Sequence, residues 1–262
     1  MAVSVAALRS QIETALAGRV PAPFTHRPVH AETAPFNIPE LDQLTGGMPL
    51  GSLTEISGSA SSGHATLLLS ALASRTAQSH ACALVDGRDN FDPHSAVAAG
   101  VNLERLLWVR CHNIDQCLRA TDLLLQAAGF GLIALDLSLL SPKTVRYVPL
   151  NVWFRFRRAV ENTSTIFLLL DQESNAGTCA SLVLRLRTRP SCWSETQRPE
   201  FQNPSACLLE GSQVHVELVR SRLKSGAHQI SSFTRMNDAS RTANFRTKTR
   251  WSDFRKIAIS TK

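Results

Sequence analysis

The chain has 262 residues, 44% of them hydrophobic and 19% charged, with 13 glycines, 12 prolines and a formal net charge of +7. Such a composition supports one large domain with a real core and excludes collagen-like, coiled-coil and wholly disordered chains. Six of the seven net charges fall after residue 234, where eight basic residues face only Asp238 and Asp253, so any argument for a polyanionic partner starts from a basic tail and not from the nearly neutral body.

Val5, Leu8, Ile12 and Leu16 recur at helical spacing and Gly18 follows as a stop, which predicts an amphipathic helix over residues 1–20. Residues 21–35 hold Pro21, Pro23, Pro28 and Pro35, too many prolines for a helix or a central strand, and form a linker. The core is expected over 36–235. It alternates strands over 52–56, 82–85, 106–109, 132–135 and 165–170 with helices over 66–77, 94–99, 115–128 (capped by Asp115) and 152–161. Short apolar runs separated by helices are the pattern of βαβ units in a parallel sheet covered on both faces. Beyond Ala180 the segments 182–189 and 213–219 alternate apolar with polar residues, which predicts an antiparallel pair at the sheet edge, with a turn after it at Ser225 and Gly226. The fold class is α/β, a mostly parallel sheet flanked by helices with added antiparallel edge strands, and 236–262 is left as the basic tail.

Residues 1–20 lack the basic start of a secretory signal, and Arg9 and Glu13 interrupt any apolar stretch. The greasiest run, 123–140, contains Gln126, Gly129, Gly131 and Asp136 and does not suit a membrane span. A cytoplasmic protein without a membrane partner is expected. The six cysteines include no C-x-x-C pair, so Cys111, His112 and Cys117 are read as packing residues, and no metal site is expected.

Between the first core strand and its helix lies Gly58-Ser59-Ala60-Ser61-Ser62-Gly63-His64-Ala65-Thr66. A strand, a Gly-x-x-x-x-Gly loop and a helix are the setting of a phosphate-binding P-loop. In a working loop a lysine after the second glycine reaches the β- and γ-phosphates, and the next Ser or Thr ligates Mg²⁺. Here those places hold a short imidazole, His64, and a methyl group, Ala65, while Thr66 comes one position too late. Backbone amides at a helix N-terminus still suit an anion. Two readings therefore stand. Gly58, Ser59, Ser61, Ser62, Gly63, His64, Ala65 and Thr66 either retain weak ATP or ADP binding without hydrolysis, or only turn a strand into a helix.

Gly46-Gly47-Met48-Pro49-Leu50-Gly51, the 58–66 loop, and Ala83 to Pro93 followed by Ala99-Gly100-Val101 resemble, in order and spacing, stretches of bacterial RecA. The strand ending at Asp136 looks like the family's Walker B strand, and the one ending in Asp171-Gln172 resembles the strand whose glutamine senses the γ-phosphate. The resemblance covers about residues 36–235 and implies a RecA-like core with Asp136 and Gln172 at its nucleotide site. It also places Arg88 where the family's catalytic glutamate activates water, and a permanently protonated arginine is no general base. Asp89 is a neighbour of that position, not a substitute. The family grips single-stranded DNA with two long loops, for which this chain has only 138–149 and 173–180. A RecA-like body without these groups is similar to the ImuA-type accessory proteins of translesion mutagenesis. That resemblance implies a role in the SOS and DNA-damage response through protein contacts, with a Y-family-like polymerase subunit or RecA as partner.

The basic clusters at 155–158, 185–189 and 220–224 are expected to be solvated faces paired with carboxylates. The tail differs, because Arg246, Lys248, Arg250, Trp251, Phe254, Arg255 and Lys256 interleave cations with rings. Cations neutralise phosphates, and each stacked base contributes ~1–3 kcal/mol, so the tail suits single-stranded DNA. A protein partner anchored by Trp251 and Phe254, or a basic tail with no nucleic-acid role, stands beside that reading. Two functions follow: a non-catalytic or weakly nucleotide-binding accessory protein, and a DNA-dependent ATPase that binds single-stranded DNA.

Overall fold

The computed structural model describes residues 32–193, 209–222 and 241–248. The helix expected over 1–20, the turn at Ser225 and Gly226, and Arg250, Trp251, Phe254, Arg255 and Lys256 lie outside the described residues. A two-stranded antiparallel sheet of β1 (Thr33–Ala34) and β2 (Met48–Pro49) brackets α1 (Pro39–Thr45). The main strands are β3 (Ser52–Gly58), β4 (Ala81–Asp86), β5 (Leu106–Arg110), β6 (Phe130–Asp136), β7 (Ile166–Asp171), β8 (Leu182–Trp193), β9 (Leu209–Ser221) and β10 (Thr242–Lys248). The helices are α2 (His64–Ala77), α3 (Pro93–Ala98), α4 (Ile114–Ala127), α5 (Pro142–Arg146) and α6 (Leu150–Val160).

The eight strands form one sheet in the order β10-β9-β8-β3-β7-β6-β4-β5. From β8 to β5 every neighbouring pair is parallel, whereas β8–β9 and β9–β10 are antiparallel. Strands β3, β6 and β7 bury successive side chains, which point to opposite sides, and are therefore covered on both faces. Ile56, Leu168 and Leu170 pack with Leu67, Leu68, Ala71 and Leu72 of α2. Leu53, Phe167 and Leu169 pack with Trp153, Phe156 and Val160 of α6. There Phe156 meets Phe167 edge-on at 5.6 Å between ring centres, a favoured aromatic geometry.

Several boundaries differ from the expected ones for identifiable reasons. Helix α2 starts at His64, since Gly63 rather than a polar side chain occupies its N-cap. Helix α4 is capped by Asn113, whose side chain accepts from the Gln116 N–H at 2.9 Å, and Asp115 sits in the first turn instead. The short helices α1 and α5 fall in segments where no helix is expected, although each opens with a proline, which fits the first helical turn. The largest correction concerns the tail. Residues Thr242–Lys248 form an edge strand, with Thr242 opposite Glu217 and Lys248 opposite Gly211. Ala243 and Phe245 turn into the core, so two alternate apolar side chains are enough to seat the segment on β9. Arg246 and Lys248 thus belong to the sheet and not to an appendage. No helix among the described residues is long and apolar enough to cross a membrane.

Candidate functional site

Strand β3 delivers the loop at its C-terminal end, where parallel α/β sheets place their ligand sites. Gly58 is packed so closely that a Cβ there would lie 2.8 Å from the Leu186 carbonyl oxygen. Ser62 is buried, and its N–H donates to the Ser59 carbonyl at 3.1 Å, closing the loop. Gly63 holds φ +111 against Val214 of β9, a conformation and a space that suit only glycine. The loop backbone therefore turns a strand into a helix whose first amides are free of any side-chain cap.

His64 does not reach outward as a lysine would. Its ring is buried, its Nδ1 lies 3.4 Å from Ser62 Oγ, and its Nε2 has no hydrogen-bond partner. Burial holds its pKa below the ordinary 6.5, opposed by the Asp136 charge and the backbone carbonyls of Asp171 and Ile56. Burial therefore favours the neutral imidazole. A cavity of about 320 Å³ opens over the loop, lined by Ser61, His64, Ala65, Thr66, Asn90, Asp136 and Ser138 from one side and by Thr188, Ser212 and Thr247 from the other. No Lys or Arg is among the described residues that line it. Ala65 offers no oxygen to a metal, and among the described residues no group of three or more His, Cys, Asp or Glu is placed to hold one. The side chains present do not fit a magnesium nucleotide; the backbone cradle does.

Three strands beside the loop end in aspartates. Asp86 accepts from the Arg88 and Phe91 N–H groups at 3.0 and 2.9 Å and from Trp108 Nε1 at 3.3 Å, so it shapes the turn after β4. Asp136 accepts from the N–H and hydroxyl of Ser138 at 2.9 and 2.6 Å, while burial raises its pKa. Gln172 Nε2 donates to the Ser138 and Leu140 carbonyls at 2.8 and 3.1 Å, tying the end of β7 to the loop after β6. Arg88 is exposed and its Nε reaches the Leu139 carbonyl at 3.4 Å. Asp89 is engaged by Arg110, with Nε to Oδ1 at 2.6 Å, and this pairing lowers its pKa. Neither residue stands as a base beside the cavity, and neither lines it.

The structure adds a group that the sequence reading passed over. Glu55 lies fully buried in β3, three residues before the loop. It accepts from Ser174 Oγ at 2.6 Å, from the Asn175 N–H at 2.7 Å and from the Ala176 N–H at 2.8 Å. Asp171 accepts from Asn175 Nδ2 and the Gln172 N–H, both at 2.7 Å. Burial pushes its pKa up to about 6, and Glu55 adds to that rise. Two buried carboxylates thus clamp the segment 172–176. A lone glutamate between Leu53 and Ile56 in a strand expected at the sheet's centre was the available signal, because such a charge, once buried, needs dedicated donors.

The basic clusters are distributed rather than gathered at the loop. Arg155 pairs with Asp122 and Arg157 with Glu161, both at 2.9 Å. Arg185 and Arg187 share Glu217 at 3.6 and 3.4 Å beside a groove of about 540 Å³. Arg220 and Arg222 donate to the Gly177 and Thr178 carbonyls. Cys111 and Cys117 are both buried, and burial raises both thiols.

Residues 36–145 match the family described as the RecA N-terminal domain. The RecA protein of Psychrobacter cryohalolentis is 37% identical over 91 residues, which is 35% of this chain and 26% of that protein. The RecA protein of Ectopseudomonas oleovorans is 38% identical over 91 residues, with the same shares. A longer, weaker similarity links the RecA protein of Cutibacterium acnes, 28% identical over 196 residues, 74% of this chain and 56% of that protein. The chain thus spans about a quarter of the length of the first two relatives and about half of the third. These matches make residues 36–145 similar to the RecA N-terminal domain, and the loop at the end of β3 lies within that stretch.

Proposed function

We propose that this RecA-like chain is a non-catalytic accessory protein of DNA-damage tolerance, of the ImuA type, that works through protein contacts instead of nucleotide hydrolysis. The observation that carries this reading is the loop cavity, whose described lining holds no Lys or Arg and in which the His64 side chain is folded inward. A triphosphate placed over it would meet backbone amides and the Asp136 carboxyl, with His64 and Ala65 at the two positions where a P-loop carries its lysine and its metal-binding hydroxyl. The partner suited to this role is a Y-family-like polymerase subunit or RecA itself.

A second reading, a DNA-dependent ATPase, is favoured by the intact loop backbone and by Asp136 and Gln172 beside it. Titration with ATP, with and without Mg²⁺, separates the two. The accessory reading expects no saturable Mg²⁺-dependent binding and no DNA-stimulated turnover. Turnover that disappears in Asp136→Ala overturns it. If the cradle is sound and only side chains are missing, His64→Lys combined with Ala65→Thr raises ATP affinity by about tenfold or more. Single-stranded DNA contact is assigned to residues beyond β10, and deleting 249–262 should weaken salt-sensitive DNA binding; unchanged binding refutes that assignment.

A further inference from the structure

Helices α5 and α6 are consecutive, and the stretch they share turns three large apolar side chains to solvent. Tyr147 is 84% exposed, Leu150 49% and Phe154 41%. Leu150 and Phe154 are one turn apart on α6 and stand on the same flank of it, with Tyr147 three residues ahead. Trp153, Phe156 and Val160 already fill the core from the inward face of α6. The exposed stripe is therefore a second apolar face for which the fold has no use. Leu150 leans towards Gly177, which places the stripe beside the segment after β7.

The charges around it are unbalanced. Arg155 and Arg157 are held by Asp122 and Glu161. Arg146 approaches Glu173 only at 4.0 Å, and Lys143 and Arg158 have no ion-pair partner among the described residues. An apolar stripe accompanied by Lys143 and Arg158, unpaired among the described residues, and by the loosely paired Arg146 is complementary to a helix with apolar residues at i, i+3, i+4 and i+7 and carboxylates beside them. Leu150, in the middle of the stripe, presents no plane on which a base could stack, which favours a protein helix over a nucleic-acid strand. We infer that Tyr147, Leu150 and Phe154, with Lys143, Arg146 and Arg158, form the docking face for an acidic amphipathic helix of a partner protein. This rests on the accessory reading above and names the chemistry of its partner.

The test uses the full chain and a fluorescent 16-residue helical peptide with Leu and Phe at the four anchor positions and Glu beside them. A twin peptide carries Lys in place of every Glu. Anisotropy should show saturable binding of the Glu peptide, and at least about tenfold weaker binding of its twin. Lys143→Glu with Arg146→Glu should reverse that preference, and Leu150→Ser with Phe154→Ser should weaken the Glu peptide about tenfold or more. All four side chains are exposed or partly so, and an unchanged melting temperature checks that each variant is folded. Absent binding, equal affinity for the two peptides, or affinity unchanged in both variants overturns the proposal. So does a single-stranded oligonucleotide that displaces the peptide and is itself lost in the Leu150→Ser, Phe154→Ser variant. The loop cavity takes no part in this assay, so ATP turnover would defeat the accessory reading alone, and failed peptide binding would defeat the docking face alone.

Discussion

At the end of β3 the 58–66 loop keeps its backbone shape with almost none of the charged groups that such loops use, whereas three residues upstream Glu55 keeps a full set of donors. The two regions share one strand, yet one has been stripped of side-chain chemistry and the other is completely satisfied. The contrast indicates that this end of the sheet is maintained as architecture: segment 172–176 is strapped to β3 whether or not a ligand occupies the loop. It also separates what folding needs from what phosphate chemistry needs, since Gly58 and Gly63 serve the first and His64 and Ala65 do not serve the second.

The comparison can be broken most directly at Glu55. Glu55→Ala leaves the Ser174, Asn175 and Ala176 donors unmet in the core and should cost about 3–5 kcal/mol in urea unfolding. Glu55→Gln, which keeps an acceptor, should cost clearly less. A loss below about 1 kcal/mol for the alanine variant would mean that the clamp is dispensable and the contrast false.

Asp171 comes next. Its folded pKa of about 6 lies above the ordinary 3.8, so its contribution to stability is complete below the unfolded value and is lost as pH rises through about 6, by up to about 3 kcal/mol. His64 has the opposite sign, because its folded pKa is depressed: its contribution is present above 6.5 and is lost as pH falls through the folded value. The difference in melting temperature between the wild type and Asp171→Asn, followed from pH 4.5 to 7.5, isolates the aspartate. The advantage of the wild type should shrink or reverse as pH rises, and a flat difference would contradict the assignment.

Smaller effects sharpen the loop side. Gly63→Ala forces a Cβ into a left-handed conformation 2.8 Å from a Val214 methyl and should cost about 1–2 kcal/mol, part of which Val214→Ala restores. Gln172→Ala removes the two hydrogen bonds to the loop after β6 and should cost about 1 kcal/mol while leaving the Glu55 clamp unaltered.

The parallel half was legible because β4, β6 and β7 are short apolar runs, buried on both faces and separated by helices. The antiparallel wing was only half legible. In β10 just Ala243 and Phe245 report burial, and the surrounding Arg246 and Lys248 made the segment look like part of a charged tail. The loop residues were visible through local glycine spacing, but the Glu55 clamp was not, since its donors lie about 120 residues away in sequence and no short-range pattern connects them. The inward turn of His64 depends on a space beneath the loop that only the assembled sheet creates.

The sheet order has a consequence for how the chain is made. Strand β3 pairs only with β7 and β8, while β4 finds β5 and β6 much sooner. As the chain leaves the ribosome, a β4-β5-β6 sheet can assemble while β3 waits with both edges open for more than a hundred residues. Such a long-range pairing is slow, and an unpaired strand with two open edges invites misassociation. Ribosome-stalled chains ending near residue 165 should therefore engage general chaperones strongly and release them once β8 has emerged.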